Sequence, residues 1–569
     1  MKNIEAAQIF REIADILEIK GENRFRIRAY QRAAQNIEGL TQDLEEYIRQ
    51  DRLTEIPGIG KDLSQRIKEF AATGKIPIYE NLKKSIPAGL LDLLKIPSVG
   101  PKTTKLLHET LKIKNIAGLE AAIKNNRLNG IFGIKEKTIE NIIKGITLFK
   151  KGKERMTLAS AIITADEFIN SLKKIPAVKK ITPAGSLRRQ KETVRDIDIL
   201  IVSNQPKGIM DAFVRQPAVK EILAKGLTKS SVQTADDVQV DCRIVRERSF
   251  GAALLYFTGS RNFNIKLRMI AQRMGLKINE YGVFRNNSYI AGKTEEEIFK
   301  LLKLSYIEPE LREDNGEVEL AKENRLPKLI RAEDIKGDLH VHSNWSDGEA
   351  SIEEMVAAAQ KKGYAYLAIT DHSQGLKVAN GLSLLKLRKK KREIDYINGK
   401  LKNFKVLYGA EVDIDAQGRL DYKNTVLKEF DVVVAAIHSG FKQSREQLTK
   451  RFIRACENKH VHILAHPTGR LWGIRDGYIL DFEELFKAAR ATNTAMEINS
   501  FTQRLDLNDI NARRAKEMGV KVCINTDSHS TGHLEAIKLG VAVARRGWLE
   551  KKDVLNTLKL DELLKTLKK

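Results

Sequence analysis

Apolar residues recur at helical spacing near the start of the chain (Ile4, Ala7, Ile9, Phe10, Ile13, Ile16, Leu17), which predicts amphipathic helix within residues 3–50. A helical pattern over residues 156–172 then gives way to alternation. Asp196-Ile-Asp198-Ile-Leu-Ile-Val and Val238-Gln-Val240-Asp241-Cys-Arg-Ile both read as strands. Successive strand residues face opposite ways, so Asp196 and Asp198 project together while Ile197 and Ile199 point to the other side. From Ile335 onward a third arrangement takes over: a short apolar run, an acid or histidine, then a helical stretch such as 352–362 or 481–491. It recurs about seven times, as repeated β/α units would.

A chain of 569 residues is too long for one core, so several domains are expected. The net charge is +25, and a hydrophobic content of 42 % argues against disorder as its cause. A folded, strongly basic chain points to a polyanion, nucleic acid before membrane surface. No run is long and apolar enough to span a bilayer, and Met1-Lys-Asn-Ile-Glu has no signal-peptide core. A cytoplasmic protein with no membrane partner is therefore expected. Cys242, Cys456 and Cys523 stand apart in apolar surroundings and read as buried thiols, not as a disulfide framework or zinc site. Nine of the ten histidines lie between His340 and His533, which predicts imidazole chemistry in the last third of the chain.

Leu53-Thr54-Glu-Ile56-Pro57-Gly58-Ile59-Gly60-Lys61 reads as a helix-hairpin-helix turn, whose glycines let the backbone bend and approach a phosphate at a helix start. Leu94-Lys-Ile96-Pro-Ser98-Val99-Gly100-Pro101 repeats it with Ser98 in place of the first glycine, and Asn129-Gly-Ile-Phe-Gly133-Ile-Lys135 is a weaker third copy. Repetition in a basic chain predicts sequence-independent, salt-sensitive binding to a DNA backbone. The cluster Arg24, Arg26, Arg28 and Arg32 beside Tyr30 fits either a solvated helix face or phosphate contacts.

Ahead of the acidic strand stands Pro183-Ala-Gly185-Ser186-Leu-Arg188-Arg189, and behind it come Tyr256-Phe257-Thr-Gly259-Ser260, Phe263-Asn264 and Ile278-Asn-Glu-Tyr281. Two acids on one strand face repel unless a cation separates them. With Asp241 they form a plausible site for two divalent ions and a triphosphate. Together these stretches resemble a family X DNA polymerase of the bacterial and archaeal kind. The resemblance implies that Asp196, Asp198 and Asp241 are catalytic and bind Mg²⁺ or Mn²⁺. It also implies that Gly185, Ser186, Arg189 and Arg155 meet the phosphates of a dNTP, and that Tyr256, Phe257 and Gly259 crowd its ribose. Asn264 would face the nascent pair and Arg268 the template. Carbonyls of Thr54, Ile56 and Ile59, and of Leu94, Ile96 and Val99, would hold Na⁺ or K⁺ against DNA, beside Gly58, Gly60 and Gly100. Arg66 stands at the position of the Schiff-base lysine of lyase-active relatives. A guanidinium stays protonated and cannot serve as that nucleophile, so no lyase chemistry is assigned.

The last third places its metal-type residues at the ends of apolar runs: Asp338-Leu-His340-Val-His342 with Asp347, Thr-Asp371-His372, Glu411, His438, His466, Glu497 and Asp527-Ser-His529. In a parallel barrel those ends converge on one face. The set resembles the polymerase-and-histidinol-phosphatase (PHP) domain, a distorted barrel with three metal ions. The resemblance implies one ion on His340, His342, Glu411 and Asp527, a second on Glu411, His438 and His466, and a third on Asp347, His372 and His529. Glu497 matches less firmly, and His460, His462 and His533 look like bystanders. Nitrogen and oxygen donors suit Mn²⁺, Zn²⁺ or Fe. Arg470 and Arg475 are candidates for a substrate phosphate, and Lys389-Lys-Lys-Arg392 reads as a solvated helix face.

The fold expected is therefore multi-domain. A helical helix-hairpin-helix domain (1–84) precedes fingers with the second hairpin (85–154). An α+β nucleotidyltransferase palm (155–247) and thumb (248–312) follow, then an acidic connector poor in apolar residues (313–334) and a distorted (β/α)7 PHP barrel (335–569). The expected activity is gap-filling DNA synthesis in repair on gapped or nicked double-stranded DNA, by a monomer, with a PHP 3′→5′ exonuclease or DNA-end phosphoesterase that extends to abasic-site cleavage. The alternative is a metal-dependent DNA-end nuclease or phosphatase whose polymerase half serves to bind DNA.

Overall fold

The computed structural model describes residues 2–38, 44–56, 58–73, 76–94, 96, 99–150, 155–472, 475 and 477–568. Pro57 of the first hairpin motif, and Lys95, Pro97 and Ser98 of the second, lie outside the described residues. The chain divides into two compact units: residues 1–156 with 233–238, and 157–232 with 239–569. Among the described residues no helix is long and apolar enough to cross a membrane.

The first unit is helical. The opening pattern resolves into Lys2–Lys20, Arg24–Glu38 and Leu44–Arg49, followed by Lys61–Thr73 after the first hairpin and Pro101–Leu111 after the second. Its core gathers Phe10, Ile13, Leu17, Tyr30, Ile67 and Leu107.

In the second unit, a five-stranded palm sheet has the order Lys180–Pro183, Asp196–Val202, Gln239–Val245, Lys229–Thr234, Val219–Ala224. The acidic strand Asp196–Val202 runs parallel to Gln239–Val245 and antiparallel to Lys180–Pro183. The thumb follows with helices Phe250–Thr258 and Arg261–Arg273, a three-stranded sheet, and the helix Glu295–Leu301, which Thr294 and Glu297 cap reciprocally. Buried Glu295 ties palm to thumb. It accepts hydrogen bonds from Arg188 at 2.8 and 2.6 Å and from Arg312 at 2.6 and 3.1 Å.

The acidic connector is ordered. It contains the helix Glu317–Lys322, and Leu311, Val318, Ala321 and Leu329 from this region join the thumb core. The carboxylate of Glu317 accepts from the amides of Asp314 and Asn315 at 2.8 and 2.7 Å, which closes the turn before that helix.

The barrel strands pair in sequence order, all parallel: Gly337–Val341, Tyr366–Ile369, Lys405–Asp413, Val432–Ala436, Ile463–Leu464, Ala495–Asn499 and Val522–Asn525. A bridge between Val341 and Ser528 joins the first strand to the segment after the last. The strands are covered on both faces, which is why they read as apolar runs rather than alternation. Ser351 with Glu354 and Ser444 with Gln447 form capping boxes at the outer helices, and Asp481 caps a third. Cys242, Cys456 and Cys523 are all buried thiols.

Candidate functional site

The three palm acids are set by strand register. Asp198 is paired with Asp241 across the parallel strands, and Asp196 lies two residues earlier on the same face as Asp198. Asp198 also contacts the turn before it. The amide of Ala184 donates to the carbonyl of Asp198 at 2.8 Å, and a Cβ on Gly185 would collide with the Asp198 carboxylate. Gly185 takes φ +62°, so a glycine is required there on both counts. Burial, then the charges of Asp196 and Asp241, push Asp198 up to about 7, against the pull of Arg243 and Arg189. A carboxylate held beside two others at this cost fits a site for divalent cations.

Around them, Arg188 is committed to Glu295, whereas Arg189 lies beside Gly259 and donates to the Thr258 carbonyl. Ser186 sits in the short helix Gly185–Arg188 that follows the turn. Tyr256 and Phe257 meet edge to face at 5.1 Å, and Arg243 lies over the Phe257 ring at 4.2 Å. The side-chain amide of Asn264 donates to the Tyr256 main-chain carbonyl at 2.7 Å, and Nε of Arg268 donates to the Asn264 main-chain carbonyl at 3.1 Å. Tyr256, Asn264 and Arg268 line one small depression with Leu255, Leu267 and Ile278. Arg155 is exposed at the end of the first unit.

One hydrogen bond recurs in the three hairpins. The Ile59 amide donates to the Ile56 carbonyl at 3.0 Å, Val99 to Ile96 at 3.0 Å, and Ile134 to Ile131 at 3.0 Å. Gly58 takes φ +80° in the first copy. Thr54 is exposed beside that turn, and Leu94 ends the short helix before the second. Gly60 and Gly100 stand just before helices, and a Cβ at either would meet no atom within 4 Å. Packing inside the unit therefore does not demand a glycine at these two positions.

In the barrel, the donors come from strand tips and the loops after them: His340, His342 and Asp347 from the first strand, His372 from the second, Glu411 on the third. His438, His466, Asp527 and His529 complete the set. Three overlapping groups bring ligand atoms within 4.8 Å of one another: His342, Asp347, His372 and His529; His340, His342 and Asp527; His372, Glu411 and His438. His466 joins through Glu411 at 3.0 Å. All nine residues thus form one connected cluster, with His342 and His372 each shared between groups. Nε2 of His340 and both ring nitrogens of His342 are buried and make no hydrogen bond, although carboxylates stand near them. Lone pairs turned toward carboxylates without hydrogen-bond geometry fit intervening cations, and the nitrogen and oxygen donors suit divalent metals. Burial would raise Glu411, but His372, His438 and His340 hold it well below the usual carboxylate range. Burial, then His372 and His529, push His342 down to about 4.

Outer carboxylates aim the rings. Glu497, fully buried, stands 2.8 Å from Nδ1 of His340 and accepts from the His466 amide at 2.8 Å. Asp413 lies 3.2 Å from Nδ1 of His438, and the Asp527 carbonyl 2.8 Å from Nδ1 of His529. In each ring the nitrogen left over faces inward, the arrangement that fixes a metal-ligating tautomer. Asp413 was missed from the sequence, although its place two residues after Glu411 on one strand was a usable signal. His462 accepts a hydrogen bond from the Val433 amide at 2.9 Å, a structural role. Arg470 spends its guanidinium on Glu192 of the palm at 3.0 Å and on the carbonyls of Arg504 and Leu505, and Arg475 donates to Gly469. The arginine next to the metal-type donors is instead Arg504, 3.5 Å from Asp527.

Four known domain families match the chain: a Helix-hairpin-helix domain at residues 1–76, a SAM-like Helix-hairpin-helix tandem at 90–147, the DNA polymerase beta thumb at 253–313 and the PHP domain at 338–501. DNA polymerase/3'-5' exonuclease PolX of Bacillus subtilis (strain 168) is 40 % identical over 573 residues, covering 100 % of both chains. A probable phosphatase of Thermoanaerobacter sp. (strain X514) is 32 % identical over 246 residues, 41 % of this chain and 95 % of its own. DNA polymerase lambda of Rattus norvegicus is 24 % identical over 344 residues, 55 % of this chain and 56 % of its own. With similarity to a two-activity relative running from end to end, the chain belongs to the family X DNA polymerases that carry a C-terminal PHP domain.

Proposed function

We propose that the protein fills short gaps in double-stranded DNA at its palm and trims 3′ ends at its barrel, as a cytoplasmic monomer in DNA repair. The observation that carries this reading is the presence of two complete and separate donor sets in one chain. One is the Asp196, Asp198 and Asp241 triad; the other is the nine-residue barrel cluster.

At the palm, Asp196 and Asp198 would hold two Mg²⁺ or Mn²⁺ ions and Asp241 one of them. Bound there, such ions make the primer 3′-hydroxyl more acidic and offset charge on the leaving pyrophosphate. The chain's own groups do the positioning. Backbone at Gly185, the Ser186 hydroxyl, and the Arg189 and Arg155 guanidiniums meet the dNTP phosphates. Tyr256, Phe257 and Gly259 close on the sugar, and Asn264 and Arg268 reach the minor-groove edge of the nascent pair and template. Amides at the helix starts after Gly60 and Gly100 meet DNA phosphates, with Na⁺ or K⁺ on the carbonyls of Thr54, Ile56 and Ile59 and of Leu94, Ile96 and Val99.

In the barrel, His340, His342, Asp347, His372, Glu411, His438, His466, Asp527 and His529 would hold three ions drawn from Mn²⁺, Zn²⁺ or Fe, whose chemistry there would be to activate a water and to neutralise a phosphodiester. Glu497 and Asp413 keep the rings in place, and Arg504 offers a charge to the scissile phosphate.

A 5′-labelled primer on one-nucleotide-gapped DNA tests the reading, with Mg²⁺ or Mn²⁺, with and without dNTPs, on wild type and on His340→Ala/His342→Ala. Templated extension in both proteins, with primer shortening in the wild type alone, is expected. Shortening without extension in any lane would reduce the palm to a DNA-binding platform and overturn the polymerase assignment.

A further inference from the structure

The loop that carries Arg189 is clamped by the barrel at both ends. Nε of Arg189 donates to Glu313 at 3.0 Å. Glu313 is shared with Arg546, 3.2 Å away at the end of the barrel helix Ile537–Arg546, and with Lys191 at 3.8 Å. The same terminal nitrogen of Arg546 donates to the main-chain carbonyl of Arg189 at 2.9 Å. The other edge of Arg546 forks onto Asp509 at 2.8 and 2.7 Å, and its side chain is only 3 % exposed. Three residues after Arg189, Glu192 pairs with Arg470 of the barrel at 3.0 Å. Thus Arg546 touches both the backbone of Arg189 and the carboxylate that holds its side chain.

Sharing is what gives this arrangement a consequence. A carboxylate divided between two guanidiniums binds each less firmly than it would bind one alone, and buried charge networks set position more strictly than exposed pairs do. With Arg546 present, Glu313 steadies Arg189 without monopolising it. Without Arg546, Glu313 would turn fully to Arg189 and draw it back from the nucleotide.

We propose that Arg546, although it belongs to the barrel, is a positioning residue for DNA synthesis: it anchors the 189–192 loop and divides the charge of Glu313, so that Arg189 stays available to the terminal phosphates of the incoming dNTP. The proposal rests on the assignment of Arg189 to those phosphates.

The test uses the full-length protein on one-nucleotide-gapped DNA. For Arg546→Gln, Arg546→Lys, Arg189→Gln and the double Gln variant, one measures KM and kcat for the dNTP, inhibition by inorganic pyrophosphate, affinity for gapped DNA and 3′-end hydrolysis. Arg546→Gln is expected to raise the dNTP KM and the pyrophosphate inhibition constant together, each about tenfold, as loss of a charge-assisted contact would. DNA affinity and hydrolysis should not change. Lysine should restore part of the loss, since it keeps the charge but not the fork onto Asp509. The double variant should be no worse than Arg189→Gln, because both act through one contact. An unchanged KM in Arg546→Gln, or additive losses in the double variant, overturns the proposal while leaving the role of Arg189 standing. An unchanged KM in Arg189→Gln removes the assignment and the proposal together. Should Arg546→Gln not fold, Asp509→Asn loosens the anchor at equal volume, and an unchanged KM there is equally decisive against it.

Discussion

Asp198 and Asp241 are register partners on two parallel strands, so the two carboxylates stand side by side with no residue between them. Because the barrel cluster shares none of these ligands, the palm can be disabled alone. Asp241→Ala is expected to lower primer extension on the order of a thousandfold, a typical loss when a transition-state contact is removed. Release of labelled nucleotide from a 3′ end should stay at the wild-type rate. Loss of both activities in the gel assay would mean that the two sites are not independent.

Glu497→Gln should act on metal retention before it acts on fold. The amide keeps the volume and can still accept from the His466 amide, but it no longer draws the proton to Nδ1 of His340. Loss of such an outer partner weakens metal binding roughly 10- to 100-fold. Competition with a chelator, read by elemental analysis, would measure it; unchanged retention would show that the ring needs no such support.

Gly60→Ala and Gly100→Ala should separate folding from DNA binding. Nothing lies within 4 Å of a Cβ at either position. Alanine there should leave stability unchanged or raise it by about 0.4–1 kcal/mol through a stiffer unfolded chain. Affinity for gapped DNA should nevertheless fall, because the methyl group stands where a phosphate would approach. Thermal melts and a salt titration of DNA affinity check both halves, and undiminished affinity would remove these turns from the DNA interface.

Glu295 gives the thumb an acid-sensitive lock. Burial would raise its carboxyl, but Arg312 and Arg188 outweigh that and bring it to about 2, against 4.5 for an ordinary glutamate. A depressed carboxylate adds stability above the unfolded-state value and loses it as pH falls through the folded one. Its contribution is therefore complete above about pH 4.5 and fades toward pH 2. Glu295→Gln should destabilise the protein by on the order of 3–5 kcal/mol near neutrality, since it leaves the fully buried Arg312 and the partly buried Arg188 without a counter-charge. The gap from wild type should narrow as denaturation is followed down that pH range; a gap independent of pH would assign the loss to packing.

What could be read in advance follows from how local each signal is. Most of the barrel donors were visible because they end apolar runs, and parallel strands bring such ends together whatever the helices between them contain; Asp347, in the polar loop after the first run, was placed by the family resemblance. The palm acids were visible because a strand's period assigns faces two residues at a time. Glu497 was visible at its strand end but its role was not, since an outer carboxylate differs from a ligand only in which ring nitrogen it meets, and Asp413 was passed over two residues beyond Glu411. The acidic connector looked poor in apolar content because Val318, Ala321 and Leu329 are spaced among charges and find their partners in the thumb. Arg546 and Asp509 belong to a helical repeat far along the chain from Arg189, and nothing in either segment announces the other.

Trp548, from the end of the barrel, is buried in the thumb's core with Phe263, Phe299 and Ile307, and Arg513 lies over its ring at 3.9 Å. The two enzymes in this chain are therefore not beads on a string. A stop codon placed after the thumb would delete a nuclease and also open an aromatic-sized hole in the polymerase, at a cost of about 3–5 kcal/mol. Any descendant that dispensed with the barrel would first have to find another side chain to plug that gap.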